Sequence, residues 1–342
     1  MIDNILKPIT VDIPIKPVFP RLLADIGGTN ARFALEVAPR RFVALSVYAN
    51  RDYSNLAAVL QDYLRMAGEK YPDVLKVRHA ALAIATLVEG DLVKMTNSPW
   101  CFSITAVQKQ FGFETMLVVN DFSALAMAVP QLDSTRKMQV GRGTAMSGSP
   151  IGVLGPGTGL GVSGLIPSGD KWIALTSEGG HVSFSPADEI EAELLHQAWK
   201  HYPHVSAERL LSGMGLELIY GMLASRSGKP KEGLSPADIF HRSLEGKCII
   251  CDETISLFCS MLGTVAGNLA LTLGACGGIY IGGGIVPRLG DRFINSSFRQ
   301  RFEQKGRFSS WMEKIPTFVI TEPNPAFFGV SAMLDEHLRS ST

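Results

Sequence analysis

The chain has 342 residues, 46% of them apolar and 19% charged, with 32 basic side chains against 32 acidic ones. That composition excludes disorder, and since single cores stop growing near ~250–300 residues, two domains are expected. A net charge of zero with no basic block argues against nucleic-acid and anionic-membrane partners.

Met1 to Pro20 has no apolar stretch of leader type, and five cysteines make no even disulfide framework. The cysteine usage points to a reducing compartment, and the first twenty residues do not read as a signal peptide. Ile9, Val11, Ile13 and Ile15 alternate, which allows an added edge strand, although a loose tail is the simpler reading. An apolar run at Arg21–Ile26 predicts a strand, followed by a glycine turn and a second strand, Ala31–Val37. Ser54 is positioned to cap a helix whose apolar face is Leu56, Val59, Leu60, Tyr63 and Leu64. Ala80–Thr86 and Leu92–Met95 read as strands, and Ser103 caps a helix over Ile104–Phe111. Met116–Asn120 is a short apolar strand that runs into Asp121 and a helix, Phe122–Val129.

From Pro130 to Pro150 the sequence turns polar and glycine-rich, the best candidate boundary between domains. A second half opens with strands Ile151–Leu154 and Val162–Pro167 around another glycine turn. Ser185-Pro186 and Ser235-Pro236 each place a cap before a proline in the first turn of a helix. Between Glu253 and Arg288 no residue is charged, a length that suits a membrane span. Eight glycines and Asn268 within it favour a buried helix, Ile255–Leu273, and a buried strand, Gly278–Ile281. The chain ends with a strand, Pro316–Thr321, and a helix, Ala326–Leu338.

The two halves echo each other. Each begins strand, Gly-Thr turn, strand, at Gly27-Gly28-Thr29 and at Gly157-Thr158-Gly159. Glycines let backbone N–H groups approach an anion, so the two turns could face phosphates across a cleft; two ordinary hairpins are the plainer alternative. Neither a Walker loop nor a dinucleotide fingerprint is present, because Leu160 breaks the Gly155-x-Gly157-x-x spacing. Asp25 ends the first strand beside its turn, where it would hold Mg²⁺ or bond its own backbone. Asp121 ends an apolar strand and opens a helix, the edge where α/β proteins place their sites. It would take a proton from a substrate hydroxyl or cap the helix, and Asn120 beside it would bond a substrate or finish the strand. Glu178-Gly179-Gly180-His181 is a loop bringing an acceptor and a ring nitrogen together, with metal ligation as the rival reading. Glu208 follows the cap Ser206 and is either a ligand or a solvated first-turn acid. Gly282-Gly283-Gly284 would let a planar ligand lie against the backbone or simply make a tight turn. Cys248-x-x-Cys251 lacks a second ligand pair, so free thiols are expected rather than zinc.

Taken in order, Leu22–Arg32, Asn120-Asp121-Phe122, Gly155–Gly161, Glu178–His181, Ser206–Gly213 and Gly282–Arg288 closely resemble the bacterial glucokinase family, over Arg21 to His337. The resemblance implies an actin-like ATPase (ribonuclease H-like) α/β fold with two domains around a central cleft. Residues 1–20 would be an extension, 21–131 with 325–342 a small domain, and 132–324 a large one. It implies ATP-dependent phosphorylation of glucose at the 6-hydroxyl with Mg²⁺, and a cytoplasmic homodimer. Asp121 would be the general base, and Asn120, Asp121, Glu178, His181 and Glu208 would bind the sugar. Ala24, Asp25, Ile26, Gly27, Gly28 and Thr29 would hold ATP phosphates with Gly157, Thr158 and Gly159, while Gly282, Gly283 and Gly284 would lie near the nucleoside. No cysteine cluster follows His181, which sets the chain with zinc-free glucokinases. No helix-turn-helix precedes the first strand, which argues against a repressor. Met214 stands where the family usually has Pro. A kinase for another hexose and a non-catalytic sugar sensor are the alternatives.

Overall fold

The computed structural model describes residues 19–72 and 76–340. The alternating tail positions Ile9 to Ile15 lie outside the described residues. Two sheets organise the rest. The first has the order β3-β2-β1-β4-β7, built from β1 (Arg21–Ile26), β2 (Asn30–Ala38), β3 (Arg41–Ala49), β4 (His79–Ile84) and β7 (Thr115–Asn120). A small hairpin, β5 (Leu92–Lys94) with β6 (Cys101–Ser103), stands apart from it. The second sheet has the order β11-β10-β9-β12-β13-β8. Its strands are β8 (Lys137–Val140), β9 (Ile151–Pro156), β10 (Leu160–Ser168), β11 (Lys171–Ala174), β12 (Ile279–Ile281) and β13 (Thr317–Ile320).

The echo in the sequence extends to the whole topology. In each sheet three strands meander antiparallel, β1-β2-β3 and β9-β10-β11, and two parallel strands follow on the other side, β4-β7 and β12-β13. The polar stretch from Pro130 to Pro150 is not only a connection. It contains β8, which adds an antiparallel edge to β13. The pairing partner lies far along the chain, so no local pattern could announce it.

Helices cover the faces. The helices α1 (Leu56–Lys70) and α2 (Ile104–Phe111) are amphipathic, and α1 buries Leu56, Val59, Leu60 and Tyr63 against the first sheet. The cap of α1 is Asn55, not Ser54: its side chain accepts from the Ala58 N–H at 2.9 Å. Ser103 caps α2 as the sequence predicts. Between the sheets lie α3 (Asp121–Ala128) and the last helix, α12 (Pro325–Ser340). Ser123 to Ala128 are all buried, and Gly329 lets α12 close onto the Ala124 carbonyl, where any Cβ would collide. A buried Arg21 ties β1 to α12 through Asp335 at 2.7 Å, and Ser331 donates to Glu36 at 2.8 Å. Such a cluster fixes one docking geometry, since a buried charge left without its partner is costly.

The outer face of the second sheet carries α4 (Glu189–Trp199), α5 (Ala207–Leu210), α6 (Gly213–Arg226), α7 (Pro236–Leu244) and α8 (Ile249–Leu273), with α9 (Asp291–Ile294), α10 (Phe298–Glu303) and α11 (Ser309–Met312) after the third glycine run. Ser185-Pro186 does not open α4. The chain runs on to Asp188, which caps by accepting from the Glu191 N–H. Ser235 does cap α7, in a capping box with Asp238. By length and composition α8 is apolar enough to cross a membrane, but it is a core helix here, packed against α6, α7 and α10.

Candidate active site

Strand register brings the first group of residues together. Ile26, Ile84 and Asn120 align at the carboxyl ends of β1, β4 and β7. Asp25 and Asp121 therefore emerge from one edge, two strand spacings or roughly 9–10 Å apart. Asn120 is the N-cap of α3, so the capping role weighed for Asp121 belongs to its neighbour. Its Oδ1 accepts from the Phe122 and Ser123 N–H groups at 3.0 and 3.1 Å. Its amide nitrogen donates to the Thr86 carbonyl at 3.3 Å and to Asp121 Oδ1 at 3.1 Å.

Asp121 is the first residue of α3, and its Oδ1 also accepts from the Phe122 N–H at 2.9 Å. Burial, then the neighbouring Asp25 carboxylate, push its pKa up from 3.8 to about 7, with Glu178 adding to the rise. Asp25 is itself raised, chiefly by burial, against the opposing pull of Arg32, whose Nη1 lies 3.2 Å from Asp25 Oδ2. Two carboxyl groups raised by burial, one of them also by the other's charge, mark a place where a cation or a proton is wanted.

The second group comes from the other half. Glu178 precedes and His181 ends a short 3₁₀ turn whose Gly180 fits against the Leu160 carbonyl. His181 Nε2 lies 3.8 Å from Glu178 Oε2 and 3.9 Å from Glu208 Oε1. Glu208, at the start of α5, is no solvated first-turn acid. Its Oε2 accepts from the Leu160 N–H at 2.9 Å, and a Cβ on Gly159 would collide with that oxygen. No group of three or more His, Cys, Asp or Glu placed to hold a metal occurs among the described residues.

The glycine turns are each held from outside. The turn at Gly27–Thr29 is gripped by Asn50, whose amide nitrogen donates to the Gly27 carbonyl and whose backbone N–H donates to the Thr29 carbonyl, both at 2.8 Å. Asn97 packs so closely that a Cβ on Gly28 would lie 2.8 Å from its own Cβ. A cavity of about 350 Å³ opens here, lined among others by Gly28, Thr29, Asn50 and Asn97. The turn at Gly157–Gly159 is held by the start of α6, where the Gly213 N–H donates to the Gly157 carbonyl at 2.9 Å. Gly282–Gly284 lies alongside: the Ile285 N–H donates to the Pro156 carbonyl at 3.3 Å, and Gly283 takes a φ of +77° that suits glycine. The two groups meet where the Phe122 ring fills the space over Gly161, next to Asp121.

Of the positions carried over from the sequence, Asp25, Asn120 and Asp121 thus lie at the end of one sheet, and Gly157–Gly159 and Gly282–Gly284 at the end of the other, with Glu208 reaching Leu160 from α5. Sequence reasoning assigned no role to Arg32, Thr86, Asn50 or Asn97. Asn97 lies in a Thr-Asn-Ser-Pro turn signal, but Asn50 gives no local sign of its long-range bond to Gly27. Met214 is the second residue of α6, where a proline is also tolerated, because first-turn N–H groups lack helical acceptors.

Comparison with known proteins fits this geometry. A family model described as glucokinase matches residues 22–337. The chain is 54% identical over 320 residues to the bifunctional protein glk of Paraburkholderia xenovorans, covering 93% of this chain and 49% of that protein. It therefore spans about half the length of the first curated relatives it matches. Against the glucokinase of Chromobacterium violaceum the identity is 49% over 320 residues, 94% of this chain and 90% of that one. Among solved structures, a glucokinase from an Antarctic psychrotroph matches with a TM-score of 0.82 at 38% identity, over 94% of this chain and all of that one. A ROK family glucokinase from Streptomyces griseus, solved with glucose and AMPPNP, shares the fold at a TM-score of 0.64 and 16% identity, covering 92% of this chain and 99% of that one. The fold is the actin-like ATPase fold, and by sequence model, close relatives and structure alike the chain belongs to the glucokinase family.

Proposed function

We propose that the chain is a glucokinase, transferring the γ-phosphoryl group of ATP to the 6-hydroxyl of D-glucose to give glucose 6-phosphate and ADP. The observation that carries this reading is Asp121, a carboxyl at a strand edge whose pKa is raised to about 7. A base of that strength is matched to a hydroxyl proton near neutral pH. Phosphoryl transfer asks mainly for positioning, so Asp121 orients the 6-hydroxyl and accepts its proton late.

Asn120, Glu178, His181 and Glu208 take the other sugar hydroxyls. Acceptors set for particular hydroxyls are left unpaired by the wrong sugar, which makes discrimination sharp. Backbone N–H groups of Ala24–Thr29 and Gly157–Gly159 take the phosphates, and Gly282–Gly284 borders the nucleoside. The residues present fit Mg²⁺. Asp25 keeps Oδ1 clear of its Arg32 contact, and a single carboxylate suits an ion that keeps water and phosphate oxygens as its other ligands. Bound there, the ion would neutralise phosphate charge.

A coupled ADP-release assay with Mg-ATP and a hexose panel tests the reading. Glucose should be turned over far more efficiently than fructose. Comparable efficiency on fructose would break the sugar assignment. Silence on every hexose, with glucose still bound by calorimetry, would favour a sugar sensor. The reading also carries two lobes, 21–131 with 325–342 against 132–324, that close on glucose and exclude water. Small-angle scattering should show compaction when glucose is added, at the mass of a homodimer; an unchanged radius of gyration would remove closure.

A further inference from the structure

The Cys248-x-x-Cys251 motif is left unused by the kinase chemistry. Cys248 is the N-cap of α8, and its Sγ accepts from the Cys251 N–H at 3.4 Å. The two thiols act on each other's ionisation. Cys248 is half-buried and Cys251 is buried. One thiol can meet a reagent from solvent while the other waits behind it. Residues three apart at the start of a helix are neighbours, within the ~4.4–6.8 Å between Cα atoms that a disulfide spans.

The electrostatics separate the two roles. Burial opposes ionisation of Cys248, but the amides of Cys251 and Ile250, the Cys251 thiol and the Arg242 charge outweigh it and hold this thiol below the ordinary range. Cys251 is pushed the other way, first by burial and then by the neighbouring Cys248 thiol. A helix N-terminus is a recognised setting for a reactive thiolate, and α8 supplies 25 residues of aligned peptide dipoles. Cys259, within the same helix, is buried and raised to about 12, so it is no competitor.

We propose that Cys248 and Cys251 form a reversible disulfide by exchange with a low-molecular-weight disulfide, Cys248 reacting first and Cys251 resolving. The Cys248 thiolate attacks one sulfur of the small disulfide. A mixed S–S bond forms, the original one breaks, and the first small thiolate leaves and takes up a proton. Cys251 then attacks Cys248 Sγ, its proton passing to the second departing thiolate. The protein loses two electrons and two protons, and one small disulfide becomes two thiols.

The test uses the reduced full chain, glutathione disulfide as the probe, and intact-mass and non-reducing peptide analysis. The wild type should lose two hydrogens, show a Cys248–Cys251 link, retain no glutathione there, and recover fully with dithiothreitol. Cys251→Ala should instead retain one glutathione at Cys248, while Cys248→Ser should take none at that helix end. A retained adduct at Cys248 in the wild type, or reaction confined to Cys101 and Cys276, would overturn the proposal. Should Cys251→Ala fail to fold, the wild-type digest alone decides between these outcomes.

Discussion

The two Gly-Thr hairpins begin from nearly the same local sequence and are put to different uses by their surroundings. The turn at Gly27–Thr29 carries its own carboxylate, Asp25, and is gripped by the amide of Asn50 and the side chain of Asn97. The turn at Gly157–Gly159 carries no acid. It is anchored by the first amide of α6, and the next residue, Leu160, donates to Glu208. In the proposed reading, one hairpin would serve a cation and phosphates, while the other would tie a phosphate turn to the carboxylate assigned to the sugar. A glycine turn supplies only open backbone, and the neighbours decide what that backbone serves.

Asp121 stands between the hairpins, electrostatically coupled to Asp25 and followed by the Phe122 ring over Gly161. Breaking it should give the largest effect. Asp121→Asn is expected to lower turnover by ~10²–10⁴-fold, as loss of a general base does, with glucose binding largely intact by calorimetry. Turnover within tenfold of the parent would refute the base assignment. The same group sets a pH dependence. The base works ionised, so kcat/KM should climb as pH rises through about 7, and the Asn variant should lose that limb. Stability runs the opposite way. Folding raises this pKa from 3.8 to about 7, so the folded state holds the proton through that window. The stabilisation is complete below 3.8 and is lost as pH rises through 7. Denaturant midpoints of the unliganded protein should therefore fall between pH 5 and 8, less steeply in the Asn variant.

The second hairpin is sharpened by Gly159→Ala, whose methyl would displace the Glu208 carboxylate. Glucose KM should rise by about ten- to a hundredfold with ATP KM little changed, the scale of losing one hydrogen bond to a charged group. Equal changes in both constants would mean the turn had collapsed. The first hairpin is probed by Asn50→Ala, which leaves the Gly27 carbonyl without its donor. One ordinary hydrogen bond is worth about 1 kcal/mol, so ATP KM should rise roughly fivefold while glucose KM holds. A response in glucose KM instead would reverse the division of labour between the hairpins.

Much of this was legible locally. The strand at Arg21–Ile26, the helix capped by Ser103 and the proline-led helix after Ser235 follow from period, caps and turn chemistry. Caps failed where two candidates stood together. Asn55 won over Ser54 because the apolar face starts at Leu56, and Asp188 won over Ser185 because Glu191 reaches back to the Ala187 N–H. The strand at Lys137–Val140 was invisible because its one partner, β13, lies far along the chain. Candidate site residues were legible as residue types in ordered motifs, since glycine turns and strand-end acids have local signatures.

By itself the sequence determined the two strand-turn-strand halves, several helix starts and the set of polar groups available for chemistry, because these depend on backbone sterics and side-chain period. Only the tertiary structure decided that the acid at Asp121 faces Asp25 across β4, that Glu208 answers Leu160, and that Asn50 grips Gly27. Those relations arise from sheet register and from α3 and α12 packed between the sheets. Burial and neighbouring charge exist only once distant segments meet, and they are what lift the Asp121 carboxyl from 3.8 to about 7.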